Sequence, residues 1–175
     1  MAISKKIIKF LEENKIKYEL LEHKTVYTAF DKAATLKVKP GLVGKTLVIK
    51  FGKDYCFVLI AADKLLDKQK LKKEINSWLK KNQKKPVKSI DFVKENWIKK
   101  NLKGTKIGVV PPLGTIWKMP TFVDKSFLKN KKIIINTGEH NLSFKISSSD
   151  FNKIENIVSG SFSKTRPKKK TKKKK

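Results

Sequence analysis

Gly108-Val109-Val110-Pro111-Pro112-Leu113-Gly114 interrupts a region of alternating apolar and polar residues with a loop bracketed by glycines and stiffened by prolines. Each proline fixes its own φ and biases the residue before it, Val110 and then Pro111, toward extended geometry. Gly108 and Gly114 tolerate φ > 0 and admit a close neighbour. A loop this constrained has two readings. It is a stiff surface turn between strands, or it presents the N–H groups of Val109, Val110, Leu113 and Gly114 around a donor-free Pro-Pro centre, as a cradle for a carbonyl or phosphate oxygen.

The segments on either side decide the fold class. Lys106-Ile107 leads into the loop, and after it residues 120–124 and 131–136 read as strands. The turn 137–141 joins the second of these to residues 142–146, which alternate cleanly. Upstream, the β-rich runs 43–49 and 55–61 flank Lys50-Phe51-Gly52-Lys53-Asp54, whose glycine and aspartate suit a hairpin between central strands. Residues 17–23 form a further strand. Apolar residues at helical spacing predict a helix over 3–14, and Thr28 caps a second over 29–36 that ends by Pro40-Gly41. Asp67 opens a lysine-rich helix reaching Lys85, with Leu71, Ile75, Trp78 and Leu79 on one buried stripe. Ser89 is the expected cap of a short helix to Ile98, and a last helix is expected over 149–158. These elements make an α/β (α+β) domain, and the short strand-to-strand connections argue for a mixed sheet, with partial closure into a barrel compatible with the strand count. The strand order stays open. Residues 1–158 form the domain, and the Ser/Lys-rich residues 159–175 form a disordered basic tail.

Composition narrows the partner. The chain of 175 residues has a formal charge of +28, and removing the nine basic residues from Lys164 onward still leaves +19. Such global basicity points to a polyanion, nucleic acid first, although lysine drift in an AT-rich genome raises the pI equally well. Cys56 is the single cysteine and lies in an apolar run, so it reads as core rather than nucleophile, with no intrachain disulfide and no cysteine-based zinc site. No stretch approaches about 18 apolar residues, and the N-terminus lacks a signal-peptide pattern, so a soluble, cytoplasmic protein is expected, with no membrane partner.

The familiar catalytic sets are missing. There is no P-loop, GxGxxG after a strand, HExxH or GxSxG, and the only histidines are His23 and His140. Any enzyme here must use backbone donors, a lysine or groups of its substrate.

The segments YELLEHKTVYTAFDKAA, GLVGKTLVIK, FVLIAADKLLDKQKLKK, GVVPPLG, PTFVDKSFL and IIINTGEHNLSFKISSSDF, in this order and at these spacings, resemble the YbaK/prolyl-tRNA synthetase-associated domain family of aminoacyl-tRNA editing enzymes. The resemblance implies a mixed, partly closed, barrel-like α/β fold with flanking helices. It also implies a freestanding deacylase hydrolysing the ester of mischarged tRNA, with alanyl-tRNA(Pro) placed first and cysteinyl-tRNA(Pro) second. The partners it implies are the tRNA acceptor end and prolyl-tRNA synthetase, with no cofactor and no metal. By motif position Lys45 is the functional lysine, Gly108 to Pro112 are the GxxxP loop, and the backbone at Gly108 and Val109 takes the carbonyl oxygen. Thr46, Leu47 and Val110 are expected near the amino-acid pocket, with Pro111, Pro112 and Gly114 shaping the loop and Asp124 and His140 as further substrate contacts. His23 is read as packing or capping, and Ser143 stands where some members carry an acidic residue. Against the enzyme stands a catalytically silent RNA-binding module of the same fold, in which Lys45 is an ordinary strand lysine. An intact GxxxP loop beside Lys45 favours the enzyme.

Overall fold

The computed structural model describes residues 3–167, and the lysine-rich residues 168–175 of the expected tail lie outside them. Strand β3 (Asp54–Ala61) is the centre of the fold, and its sequence DYCFVLIA shows why: it is apolar on both faces because both faces are covered. Cys56, Val58 and Ile60 pack with Leu71, Ile75 and Leu79 of helix α3 (Lys68–Lys81), while Leu59 and Ala61 join a second cluster with Ile7, Leu11, Phe127, Phe144 and Ile146. Burial pushes the Cys56 thiol well above its ordinary range, as expected of a core cysteine.

Five strands form one sheet in the order β5 (Ile90–Phe92), β2 (Gly44–Phe51), β3, β6 (Thr121–Asp124), β9 (Ile157–Gly160). The β2–β3 hairpin and the β2–β5 pair are antiparallel, whereas β3–β6 and β6–β9 are parallel, so the sheet is mixed as expected. A second, antiparallel sheet has the order β1 (Tyr18–Glu22), β8 (Leu142–Ser147), β7 (Lys132–Asn136). One parallel bridge, Val43 to Ile134, joins the sheets, and they close no barrel. Helix α1 (Lys5–Glu13) lays Ile7 and Leu11 into the cluster shared by both sheets, and α2 (Ala29–Leu36) is capped by Thr28 Oγ1 accepting from the Asp31 N–H at 3.0 Å.

Three expectations change. Ser89 caps nothing: residues 90–92 pair with the edge of β2, and the helix that follows, α4 (Glu95–Asn101), begins after Lys94. The last helix is the single turn α6 (Ser148–Asn152), because Asn156 takes φ 65° and redirects the chain into β9. The expected tail begins too early. Residues 159–160 belong to β9, and β10 (Ser163–Thr165) pairs with β4 (Lys64–Leu66), a strand whose short Lys-Leu-Leu run carries no signal of its own. A one-turn helix α5 (Lys125–Leu128) also escaped the periodicity.

Candidate functional site

The proline loop is wedged into the body of the protein. Residues 109–114 are buried, and only Gly108 faces solvent, at φ +85°. A surface turn is thereby excluded. The Val109 N–H donates to the Lys106 carbonyl at 3.3 Å, the Leu113 N–H to the Pro111 carbonyl at 2.8 Å, and the Gly114 N–H to Thr121 Oγ1 at 2.9 Å. Three of the four donors expected of the cradle are therefore committed to the fold. The N–H groups of Gly108 and Val110 donate to nothing among the described residues, which moves the open donor pair from Gly108 and Val109 to Gly108 and Val110. Gly114 serves close packing, since a Cβ there would lie 2.7 Å from the Met119 carbonyl oxygen and from Thr121 Oγ1.

A buried polar latch fixes this loop to strand β2. Asn136, at the end of β7, donates through Nδ2 to the Val110 carbonyl at 3.3 Å and to Thr46 Oγ1 at 3.4 Å, while its Oδ1 accepts from Lys32 Nζ at 2.7 Å. Lys32 is 2% exposed and meets no carboxylate among the described residues; burial lowers its pKa to about 8. Sequence reasoning passed over Lys32 and Asn136. The signal for Lys32 was its place on α2 between Ala29, Ala33 and Leu36, a charged residue on the stripe that should be apolar. Thr46 and Val110, expected near one pocket, do share a partner. Leu47 does not join them, because it packs toward α3.

Lys45 points the other way from Thr46, as neighbouring strand residues must. Its Nζ donates to the Lys64 carbonyl of β4 at 3.3 Å, and half-burial together with the positive charge of Arg166 lowers its pKa. The fold thus half-covers this lysine. Arg166 follows β10, which pairs Thr165 with Lys64, and its guanidinium lies 5.8 Å from the Phe30 ring centre. Asp124 secures this return of the chain. Its Oδ2 accepts from the Phe162 and Ser163 N–H groups at 2.8 and 2.9 Å, and its Oδ1 accepts from the Ser126 N–H and hydroxyl. Burial alone would raise its pKa, and these donors outweigh burial and lower it. Asp124 is thus engaged in holding α5 and the β9–β10 turn.

His140 lies with the loop. Its Cε1 is 3.9 Å from where a Cβ on Gly108 would stand, its ring is 4.9 Å from that of Tyr27, and its buried Nδ1 has no hydrogen-bond partner among the described residues. Glu139 beside it pairs with Lys106 at 2.6 Å. His23 packs as expected, with Nε2 2.9 Å from Ser143 Oγ and Nδ1 2.8 Å from the Lys24 carbonyl, and burial lowers its pKa. A cavity of about 510 Å³ between Leu21, Leu36, Val38 and Ile134 contains none of these residues. Helix α2 and the turn before it connect the halves: Tyr27 touches His140, Lys32 holds Asn136, and Phe30 meets Arg166. Among the described residues no cluster of His, Cys, Asp and Glu could hold a metal, and no helix is long and apolar enough to cross a membrane.

The fold has close relatives among solved structures. The hypothetical protein APE2540 superposes with a TM-score of 0.75 at 20% identity, over 91% of this chain and 100% of that one. A structure described as "a putative trans-editing enzyme for prolyl tRNA synthetase" gives a TM-score of 0.70 at 18% identity, over 93% of this chain and 99% of that one. At these identities the likeness is one of fold. Among curated proteins none matches by sequence. The profile of the aminoacyl-tRNA editing domain matches residues 23–154, a span that holds α2, Lys45, the proline loop, Asn136 and His140. The chain belongs to the aminoacyl-tRNA editing domain family.

Proposed function

We propose that the protein is an aminoacyl-tRNA deacylase that acts in trans on mischarged tRNA, with alanyl-tRNA(Pro) or cysteinyl-tRNA(Pro) as substrate. The observation that carries this reading is Gly108 at φ +85° with its own and the Val110 N–H unspent, in a loop latched by Asn136 within the family-defining segment. Water adds to the ester carbonyl, assisted by the hydroxyl of the terminal adenosine. The bond to the ribose oxygen then breaks, and the amino acid leaves from a tRNA with a free hydroxyl. An aminoacyl ester is already activated, so positioning and oxyanion stabilisation supply most of the acceleration. The N–H groups of Gly108 and Val110 take the developing oxyanion, Lys45 grips a ribose or phosphate oxygen, and His140 borders the reacting end. Pro111 and Pro112 stiffen the loop, Thr46 and Val110 narrow the space for the side chain, and small size is the selected property. The basic face of α3 and the lysines beyond Arg166 contact tRNA phosphates, which adds affinity without reading sequence. Prolyl-tRNA synthetase is the partner whose errors this activity corrects, and the cytoplasm is where both work. The fold shared with a protein described as "a putative trans-editing enzyme", over 99% of that chain, supports action in trans.

Deacylation of tRNA(Pro) charged with alanine, cysteine or serine tests the reading. Release of alanine or cysteine well above the buffer rate is expected. Intact RNA binding with release of none would leave a binding module instead.

A further inference from the structure

Four large hydrophobic side chains are prominently exposed among the described residues, and two of them, Tyr27 at 73% and Phe30 at 49%, lie three positions apart at the start of α2. In a chain of which 33% is charged, such a pair on one turn calls for a reason. Neither ring is in an arbitrary place. Tyr27 leans on His140, next to Gly108, with ring centres 4.9 Å apart. Phe30 faces the guanidinium of Arg166 at 5.8 Å, and the charge of Arg166 bears on Lys45. Tyr27 thus lies beside the loop, and Phe30 lies beside the guanidinium whose charge reaches Lys45. Nothing requires Arg166 to lie there except the β4–β10 pairing, which turns the C-terminal segment back across the domain and is itself secured by Asp124.

We infer that Tyr27, Phe30 and Arg166 form a stacking surface for the unpaired nucleotides at the 3′ end of an RNA, which it delivers to Lys45 and Gly108. Aromatic rings and a guanidinium plane are the groups on which unstacked bases settle, whatever their identity, while the surrounding positive charge holds the backbone. Arg166 contributes a flat face as well as charge, which lysine cannot. The inference rests on the proposed activity for the meaning of "3′ end", since it assigns the surface to the nucleotides next to the ester. Its test is separate because it uses uncharged RNA.

The experiment is equilibrium binding of an RNA hairpin whose unpaired 3′ overhang carries the fluorescent base 2-aminopurine, alongside a blunt hairpin of the same stem. With the full chain the overhang probe is expected to be quenched, and Tyr27→Ala and Phe30→Ala are each expected to weaken overhang binding between about fivefold and about a hundredfold, the range for one base–aromatic stack. Blunt-hairpin affinity should stay unchanged. Phe30→Trp should keep the quenching and Phe30→Leu lose it, although both stay apolar; Arg166→Lys should keep most of the affinity and lose part of the quenching. Thermal melting of each variant shows whether it is folded, and Tyr27→Leu replaces Tyr27→Ala if the smaller side chain loosens His140. Wild-type overhang binding by Tyr27→Ala and Phe30→Ala overturns the proposal, as does an equal loss for blunt and overhanging RNA. Unquenched RNA combined with ring-dependent binding to vesicles of anionic phospholipid would overturn it too. A protein that quenches the overhang but releases no amino acid in the deacylation assay would refute the enzyme and keep the surface.

Discussion

Two lysines of the editing-domain segment are treated in opposite ways. Lys32, on α2, is sealed inside with a single acceptor among the described residues, Asn136 Oδ1, and its charge shapes the protein from within by fixing the amide that holds Val110 and Thr46. Lys45, on β2, is half-covered, its Nζ on the Lys64 carbonyl and its charge facing Arg166, in a rim where positive groups gather. A buried cation without a counter-ion lowers stability and is retained for what it positions, whereas a half-buried cation beside another keeps its affinity for an anion that arrives from outside. The difference separates the part of the site that must stay rigid from the part that must meet a ligand.

The largest effect expected of this division is on chemistry. Lys45→Ala should lower deacylation kcat/KM by on the order of a hundred- to a thousandfold while leaving the melting temperature in place, the loss typical of one stabilising group at a reacting centre. Unchanged turnover would break the contrast between the two lysines. Because the pKa of Lys45 lies below the ordinary lysine value, turnover should fall on the alkaline side earlier than that value dictates, and Arg166→Gln should move the fall to higher pH.

Lys32 should instead dominate stability. With its folded pKa near about 8 against 10.5 unfolded, the unfolded chain holds the extra proton between these values, so stability rises with pH across that window and the cost of the charge is full below it. The shift corresponds to roughly 3 kcal/mol, of which losing the Asn136 bond takes back about 1. Lys32→Met should therefore raise urea resistance at pH 7 and flatten the alkaline rise, yet reduce kcat because Asn136 is released. A variant no more stable than wild type would mean that this charge costs nothing.

Asn136→Ala comes next, with an expected loss of about 2 kcal/mol in denaturant melts, since it strands the Lys32 ammonium and frees the Val110 carbonyl. Lys32→Met should gain more in this background than in the wild type, because no Asn136 bond is lost with it, and equal gains in the two backgrounds would show that the residues are not coupled. The smallest effect on folding belongs to Gly108→Ala, about 1 kcal/mol for a non-glycine residue held at φ +85°. Its effect on turnover should exceed its effect on stability if that N–H meets the substrate.

Much of the site was legible because it is written locally. Proline and glycine announce a rigid loop at 108–114 whatever surrounds it, GKTLVIK reads as a strand, and Thr28 caps α2 where a short hydroxyl side chain should, whereas Lys45 stands out only through the family resemblance. Most of the unread parts depend on partners distant in sequence. Residues 163–165 carry no strand signal strong enough to outweigh the lysines after them, and they become a strand because β4 offers an open edge. Asp124 resembles a substrate contact until the Phe162 and Ser163 N–H groups are seen on it. The donor pair moved to Gly108 and Val110 because Val109 turned back to Lys106, a bond between residues three apart that periodicity does not foretell.

The sequence by itself determined the longer helices and strands, the strand-rich mixed class, the core status of Cys56, the rigid loop and the excess of positive charge, since each follows from side-chain volume, backbone freedom or titration of single residues and short runs. Tertiary structure alone decided that the loop is buried, which of its N–H groups stay open, that Lys32 is sealed against Asn136, and that Arg166 returns to Lys45. These outcomes turn on hydrogen bonds between groups as many as 104 positions apart, and only a completed fold brings such groups within 3 Å.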